Sequence, residues 1–277
     1  MEPARALPYP CAMQTQARSI GDHLREWRQR RRLSQLDLAL EAEISTKHLS
    51  FLETGRSQPS RDMVLRLAEE LDVPLRERNV LLVAAGYAPV FAQRALDDPA
   101  LQAARKAVDL VLKGHEPYPA LAVDRHWHLV AHNAAIPPLM TSAAPQLLQP
   151  PVNVLRLSLH PEGLAPRIVN LAEWRAHLIA RLRQQIDATV DATLAALLEE
   201  LAAYPAPGGA KAARANVAQE YGGVVVPLRL ATQAGTLSLF STTTIFGTPV
   251  DVTLAELAIE SFFPADAETA ELLRKMA

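Results

Sequence analysis

Four residues near the middle of the chain have side chains of the kinds that bind metals. Their spacing would place them on the same face of a β-strand. Asp124, His126 and His128 are separated by one residue each, and His132 keeps the same parity. Imidazole nitrogens and carboxylate oxygens are common zinc ligands, so the cluster permits a metal site. His132, however, is expected beyond the end of its strand, where a surface or capping role is more common. We therefore predict no metal and no other cofactor.

Other catalytic chemistry lacks its usual signatures. The chain has no Gly-x-Ser-x-Gly, no phosphate-binding glycine loop, no dinucleotide-binding glycine pattern and no paired Cys/His metal spacing. The one cysteine, Cys11, lies in a proline-rich leader and cannot form an internal disulfide bond, which fits a reducing compartment. We predict no catalytic residues and a protein that is not an enzyme.

Composition favours a soluble cytoplasmic protein of one to two domains. The 277 residues are 49% hydrophobic, enough for a packed core, and carry a net charge of −2. No apolar run approaches the ~20 residues that span a bilayer, and the first residues lack the pattern of a signal peptide. We expect no membrane contact, and any nucleic-acid binding must come from a local patch.

The best-defined elements are a helix, a tight turn and a second helix within residues 33–56. Ser34, with Asp37 three residues later, resembles a capping box, Ser45 caps the second helix, and Gly55 follows its end. Further helices before and after this pair give five short helices within residues 18–87, which is enough for a small domain.

The second of these helices has a polar outer face. Leu49 and Leu52 face inward at helical spacing. Four side chains are thereby rotated outward: Thr46, Lys47, Ser50 and Phe51.

A resemblance follows from the stretch LSQLDLALEAEISTKHLSFLETGRSQPSRDMVLRLAEELDVP. Its capped helix, inner Ala39, Leu-Glu-x-Gly ending and following helix resemble, in register, the helix-turn-helix of the Cro/C1-repressor, or XRE, family. The resemblance covers about a quarter of the chain and implies binding to double-stranded DNA, with the second helix in the major groove. Family positions imply that bases are read by Thr46, Lys47, Ser50 and Phe51, and that phosphates are contacted by Gln35, His48, Arg56 and Arg61.

Two further expectations come from the same resemblance. Arg28 and Glu53 occupy positions that form a partly buried ion pair in some members, for which we expect a structural role. Glu43 stands in the turn where members often have glycine, so a positive φ is expected at a residue that rarely adopts one.

The remaining two-thirds of the chain mixes helices and strands. A leucine-rich stripe over residues 178–201 predicts one long helix, and Asn133 is predicted to cap or start another. Runs rich in β-branched and aromatic residues predict five strands, at residues 120–123, 127–131, 224–231, 236–246 and 253–263. Two early and three late strands with helices between them are typical of a PAS-like sheet.

The segments EPYPALAVDRHWHLVAHNAA, NVLRLSLHPEG and LAIESFFPADAETAELLR follow the helix-turn-helix in order. Together they resemble the MmyB-like, or MltR-type, ligand-binding domain. The resemblance implies a transcription regulator that binds a small apolar, fatty-acid-like ligand. Apolar candidates for its pocket, each with an ordinary core position as the alternative, are Trp127, Trp174, Tyr221, Phe240, Phe246 and Phe262. Arg175 and Arg181 are candidates for an acidic headgroup, with a solvated helix face as the alternative.

The expected architecture is an α+β multidomain protein, in which a five-helix helix-turn-helix bundle precedes a PAS-like α/β domain with an antiparallel sheet. The predicted parts are a flexible tail (1–17), an XRE-type DNA-binding domain (18–88), a linker (89–100) and a ligand-binding and dimerisation domain (101–277). A homodimer is expected because one small DNA-binding domain offers little contact area, whereas two read half-sites about 34 Å apart.

Two other functions stay open from the sequence. The second domain of an antitoxin-like regulator would bind a protein partner instead of a small molecule. An enzyme with a DNA-binding appendage would have its catalytic residues scattered, since no motif marks them.

Overall fold

The computed structural model describes residues 18–189, 191–205, 226–247 and 251–276. The chain divides into two compact units between Phe91 and Ala92, and separate sets of buried side chains form their cores. Several predicted features lie outside the described residues: the tail with Cys11, Tyr221, and the start of the third predicted strand.

The described part of the first unit is a bundle of five helices, as predicted. Their bounds are α1 Ile20–Arg30, α2 Gln35–Glu41, α3 Thr46–Glu53, α4 Arg61–Glu70 and α5 Leu75–Ala84. Serine side chains accept a backbone N–H at the start of the first four helices, which supplies partners that the first turn of a helix otherwise lacks. The predicted capping box of Ser34 and Asp37 is confirmed. Leucines from every helix are buried in the shared core.

The described part of the second unit combines seven helices with five strands. The helices are α6 Gln102–Gly114, α7 Pro137–Met140, α8 Val154–Leu159, α9 Leu171–Thr189, α10 Ala192–Ala203, α11 Val252–Ala255 and α12 Ala267–Met276. The strands are β1 Ala120–Val123, β2 Leu129–His132, β3 Leu228–Thr232, β4 Gly235–Ile245 and β5 Ala258–Pro264. The predicted α+β class is confirmed.

The strands form one antiparallel sheet in the order β2-β1-β5-β4-β3. Since successive side chains point to opposite faces, each strand contributes to two layers. One face packs with α8, α9 and α10 around a leucine-rich core. The other face packs against Val108 and Leu112 of α6 through small and branched residues of β1 and β5.

Four sequence expectations in this unit were wrong in detail. The stripe of residues 178–201 belongs to two helices, because Asp191 has extended backbone and caps α10 through the Thr193 N–H. The second strand begins at Leu129 and not at residue 127, since Trp127 has a φ of 67° in the preceding turn. It includes His132, which we had expected beyond its end. The start of the last predicted strand is helical as α11.

Asn133 does not cap or start a helix. Its buried amide accepts the Ala120 N–H and donates to the carbonyl oxygens of Leu112 and Tyr118. It thereby joins the end of α6 to the start of β1, a role that needs the tertiary fold. The next helix begins at Pro137.

Candidate functional site

Helix α3 buries one face and leaves a polar face accessible. Leu49 and Leu52 have no exposed surface, whereas Lys47 is exposed and Thr46, Ser50 and Phe51 are partly exposed. This is the rotation expected from the sequence, because apolar residues three apart share one side of a helix.

Two predicted base contacts, Lys47 and Phe51, lie close to one predicted phosphate contact, Arg56, on this face. The Lys47 ammonium is 5.7 Å from the centre of the Phe51 ring, and the Arg56 guanidinium carbon is 5.8 Å from it. Both distances suit a cation over an aromatic ring. The structure therefore brings Lys47, Phe51 and Arg56 together as a positive, partly apolar patch. His48 lies in the first turn of α3 and gives its backbone N–H to Ser45, while Arg61 is exposed at the first position of α4.

A buried carboxylate fixes α3 against α1 and α2. Glu53 accepts two hydrogen bonds from Arg28, at 2.6 and 2.9 Å, and one from the Gln35 amide at 2.8 Å. The predicted ion pair of Arg28 and Glu53 is thus confirmed. The Gln35 side chain, predicted to contact phosphate, also takes part in this network.

The network keeps Glu53 ionised. Burial alone would raise the pKa of Glu53, but the hydrogen bonds from Arg28 and Gln35 outweigh it and hold that pKa below its usual range. The hydrogen bond to Glu53 raises the pKa of Arg28 in turn. The contacts are bidentate, which fixes the orientation of both side chains and so of their helices.

The turn between α2 and α3 requires a left-handed residue. Glu43 has a φ of 53°, and the Ile44 N–H that follows it donates to the Ala39 carbonyl at 2.9 Å. The expected positive φ at Glu43 is therefore confirmed. The conformation reverses the chain direction and sets where α3 begins.

Close packing of α1 against the end of α3 depends on Gly21, which the sequence analysis did not single out. A Cβ atom at this position would lie 2.6 Å from the Glu53 carbonyl oxygen and 2.7 Å from that of Leu52. Only a glycine can approach this closely. The sequence feature that could have indicated this close packing was a glycine among the helical residues after Ser19.

The second unit contains a partly open, mostly apolar cavity between the sheet and helices α7, α8 and α9. Its volume is about 110 Å³. Three of the predicted pocket residues lie in its wall, namely Trp127, Trp174 and Phe262. The remaining wall is made mostly of leucines of the sheet and of α8.

The other aromatic candidates lie elsewhere or are not described. Phe240 stacks on Phe263 with 5.4 Å between ring centres, and Phe246 packs with the residues under α6. The alternation along β4 explains this, because Leu239 and Ser241 face the cavity and Phe240 lies between them. Tyr221 is outside the described residues.

One part of the cavity wall is charged. Arg181 of α9 forms a bidentate ion pair with Glu260 of β5, and the Thr243 hydroxyl donates to the same carboxylate at 2.9 Å. The Arg181 guanidinium carbon also lies 4.7 Å from the centre of the Trp127 ring. Arg181 was a headgroup candidate in the sequence, whereas Glu260 was missed. The signal for it was the presence of glutamates, Glu256 and Glu260, in a predicted strand that is otherwise mostly apolar.

The remaining headgroup candidate, Arg175, does not line this cavity. Its guanidinium donates to the carbonyl oxygens of Leu201 and Ala202, at 3.1 and 2.8 Å. It therefore satisfies the last carbonyl groups of α10, which have no partner within their own helix.

The histidine cluster forms a hydrogen-bonded turn. Ligand atoms of Asp124, His126 and His128 all lie within 4.8 Å of one another. Asp124 accepts the backbone N–H groups of His126 and His128 at 2.8 Å each and contacts Nδ1 of His128 at 3.0 Å. Nε2 of His126 is 2.8 Å from a carboxylate oxygen of Asp191. The side chains that a metal would use thus already have partners within the protein, and His132 contacts the carbonyl of Asn133 instead.

In the part of the chain that the structure describes, no helix has the length and apolar character required to cross a membrane.

Comparisons with known proteins agree with this geometry. The helix-turn-helix family model matches residues 24–78, which contain α3 and its supporting network. The family model described as the MmyB-like transcription regulator ligand binding domain matches residues 104–276, which contain the sheet and the cavity. A search of curated proteins found no match. The predicted order of an XRE-type helix-turn-helix and an MmyB-like domain is confirmed, and the chain belongs to the family of MmyB-like transcription regulators.

Proposed function

We propose that this DNA-binding transcription regulator reads a specific operator with the outer face of α3 and changes its DNA binding when a small apolar ligand occupies the cavity. The observation that carries the proposal is the exposed polar face of α3, held in place by the buried network around Glu53. A rigid helix is needed because base recognition depends on side chains placed within hydrogen-bond distance.

Different residues of this face have different tasks. Lys47 donates to guanine acceptors, Thr46 and Ser50 donate or accept, and Phe51 contacts a thymine methyl group. Arg56, Arg61 and His48 contact phosphates, which position the helix without reading sequence. Gln35 uses one amide hydrogen on Glu53, so its second amide hydrogen serves a phosphate.

We expect Lys47→Ala to change which sequences the protein prefers, because it removes a base contact. Arg61→Ala is expected to weaken binding to all sequences alike, since a phosphate contact carries no sequence information. Selection from random DNA, followed by fluorescence anisotropy on the selected and on scrambled duplexes, measures both effects. The salt dependence provides a second measure, because the loss of one phosphate contact lowers the slope of log K against log salt by about 1.

Arg61→Ala is also the control for Lys47→Ala, since each removes one positive charge from an exposed position of the same unit. Equal losses on selected and scrambled DNA for Lys47→Ala would contradict its assignment to base recognition.

The second unit acts in this proposal as a PAS-like sensor and as the dimerisation domain. The mostly apolar cavity supports a small apolar ligand, since ligand sites are concave and mostly apolar with a few placed polar groups. A ligand that binds one arrangement of the homodimer better than another shifts the population and changes the spacing of the two reading helices. The regulator works without catalysis and in the cytoplasm, where its DNA target lies.

Mass spectrometry of small molecules extracted from the purified protein tests this mechanism. We expect an apolar compound that, when added back, changes the affinity for the selected operator. Recovery of a bound protein instead of a small molecule would contradict the mechanism and favour an antitoxin-like role.

A further inference from the structure

The cavity wall has two opposite charges that compensate each other. Among the described residues that line the cavity, the charged ones are Arg181 and Glu260. The Glu260 carboxylate is almost fully buried, and Arg181 donates to both of its oxygens. The net charge that a ligand meets there is zero.

The local contacts already use three of the five N–H donors of Arg181. One terminal nitrogen donates to Glu260 and to the Thr243 hydroxyl, the other donates to Glu260, and the guanidinium lies over the Trp127 ring. A ligand carboxylate would have to share this cation with a second carboxylate in an apolar site, where like charges repel strongly. A ligand ammonium would be repelled by the positive charge of Arg181 in the same way.

We infer that the cavity binds a neutral ligand, an apolar body with one uncharged hydrogen-bonding group such as a hydroxyl, and that the Arg181–Glu260 pair excludes carboxylates and ammonium ions. A neutral hydroxyl needs no ion to be displaced, because it donates to a free lone pair of Glu260 and accepts from Ser241, whose side chain also lines the cavity. The inference rests on the ligand-binding function proposed above. It narrows the fatty-acid-like ligand of the sequence analysis to one without an ionised head.

The size of the cavity favours a compact ligand. Its volume of about 110 Å³ is below the roughly 150 Å³ of an engineered apolar cavity in another protein that holds benzene. A single ring or a short branched chain therefore approaches the available space, while a long acyl chain requires side chains such as Met140 to move.

Three probes with the same ring test the charge preference: cyclohexylmethanol, cyclohexanecarboxylate and cyclohexylmethylammonium. They do not absorb where tryptophan does, so the fluorescence of Trp127 and Trp174 in the cavity wall follows binding to the full chain at pH 7. We expect the alcohol to bind at least about tenfold more tightly than either ion, which corresponds to one charge-assisted hydrogen bond lost or one repulsion added.

Glu260→Gln removes the internal carboxylate and keeps the size of the side chain. We expect this variant to bind cyclohexanecarboxylate about tenfold more tightly than the wild type does, because Arg181 then lacks an anionic partner. The matched control is Glu200→Gln. Glu200 forms the same bidentate pair with Arg156 and also accepts a hydroxyl hydrogen bond, from Tyr204, but neither partner of the pair lines the cavity. This control should leave the order of the three probes unchanged.

The outcomes separate the inference from the function on which it rests. Wild-type binding of the carboxylate as tight as that of the alcohol overturns the inference and leaves a ligand-binding regulator. Failure of all three probes to bind overturns the inference, whereas the function is overturned only if extraction of the purified protein yields no small apolar compound. If Glu260→Gln does not fold by circular dichroism, the order of the probes on the wild-type protein still decides the question.

Discussion

Glu53 connects three helices of the first unit through one carboxylate. Its partners Arg28 and Gln35 belong to α1 and α2, and the residues proposed to contact bases lie on the same helix as Glu53 itself. The geometry of the outer face of α3 therefore depends on a side chain that is itself buried.

We predict that Glu53→Gln lowers the free energy of unfolding of the first unit by roughly 3 kcal/mol, because Arg28 is left mostly buried without its counter-charge. Chemical denaturation followed by circular dichroism measures this. Glu26→Gln is the control, since Glu26 pairs with Arg18 and Arg30 but is more exposed than Glu53, and such pairs contribute about 1 kcal/mol or less. Similar losses in the two variants would contradict the structural role of Glu53.

The same residue predicts a dependence on acid. The folded pKa of Glu53 is lowered, so its stabilising contribution is present above the ordinary glutamate pKa of about 4.3 and is lost as the pH falls through the folded value. We expect the wild-type unit to lose stability in this acidic range by more than Glu53→Gln does, measured as denaturation midpoints from pH 7 downward. Parallel pH profiles of the two proteins would argue against it.

For single residues, the sequence predicted which side chains pair with each other better than it predicted where a side chain lies in the fold. The pair of Arg28 and Glu53 followed from the resemblance, because helical register fixes both positions. The third partner, Gln35, was assigned only to phosphate, since its contact with Glu53 appears only once α2 and α3 are packed. Glu260 could not be placed in a cavity wall before the strand pairing was known.

The turn between α2 and α3 is the element that sets the start of α3, the helix proposed to read DNA. Its left-handed residue is Glu43, and an L-residue with a side chain pays about 1 kcal/mol or more for that backbone. This strain is confined to the backbone of Glu43. A substitution that relieves it therefore need not alter any other contact.

We therefore predict that Glu43→Gly stabilises the first unit by roughly 0.5 kcal/mol, the relief of strain being partly offset by the greater freedom of glycine in the unfolded chain. Thermal unfolding measures the change. The matched control Glu41→Gly, two residues earlier within α2, is expected to destabilise by about 1 kcal/mol. A loss of stability in both variants would show that Glu43 is not strained.

Helix ends that are marked by local capping residues were predicted well. Boundaries and contacts that depend on tertiary packing were not. The serine caps placed the starts of α2 and α3, because capping is a local hydrogen bond. The break between α9 and α10 was missed because leucines of both helices are buried in the same core, so the apolar stripe continues across it. Gly21 acquires its role only from the approach of α1 to α3.

At the scale of the whole molecule, the two units have separate cores. The buried leucines of the first unit and those around the cavity belong to different clusters. The order of the motifs along the chain was enough to predict both units and the family, since each family's pattern is contiguous in sequence.

We predict that the full chain unfolds in two calorimetric transitions and that the two respond to different changes. Cyclohexylmethanol should raise the midpoint of only one, because a ligand stabilises the structure that binds it, while Glu53→Gln should lower only the other. Differential scanning calorimetry of the wild type with and without the alcohol, and of the variant, provides the measurement. One transition that both changes move would contradict separate folding.

The sheet order β2-β1-β5-β4-β3 has a consequence for protein synthesis. The strand at the centre of the sheet, Ala258–Pro264, is the last to leave the ribosome, and it joins an early hairpin to a late one. The helix proposed to read DNA ends at Glu53, long before this strand is made. A nascent or prematurely ended chain can thus have a folded first unit while its second unit is still unfinished. A nonsense mutation before residue 258 would keep the proposed reading helix but remove the proposed dimerisation and ligand response, so we expect such a fragment to bind an operator half-site weakly and without responding to any signal.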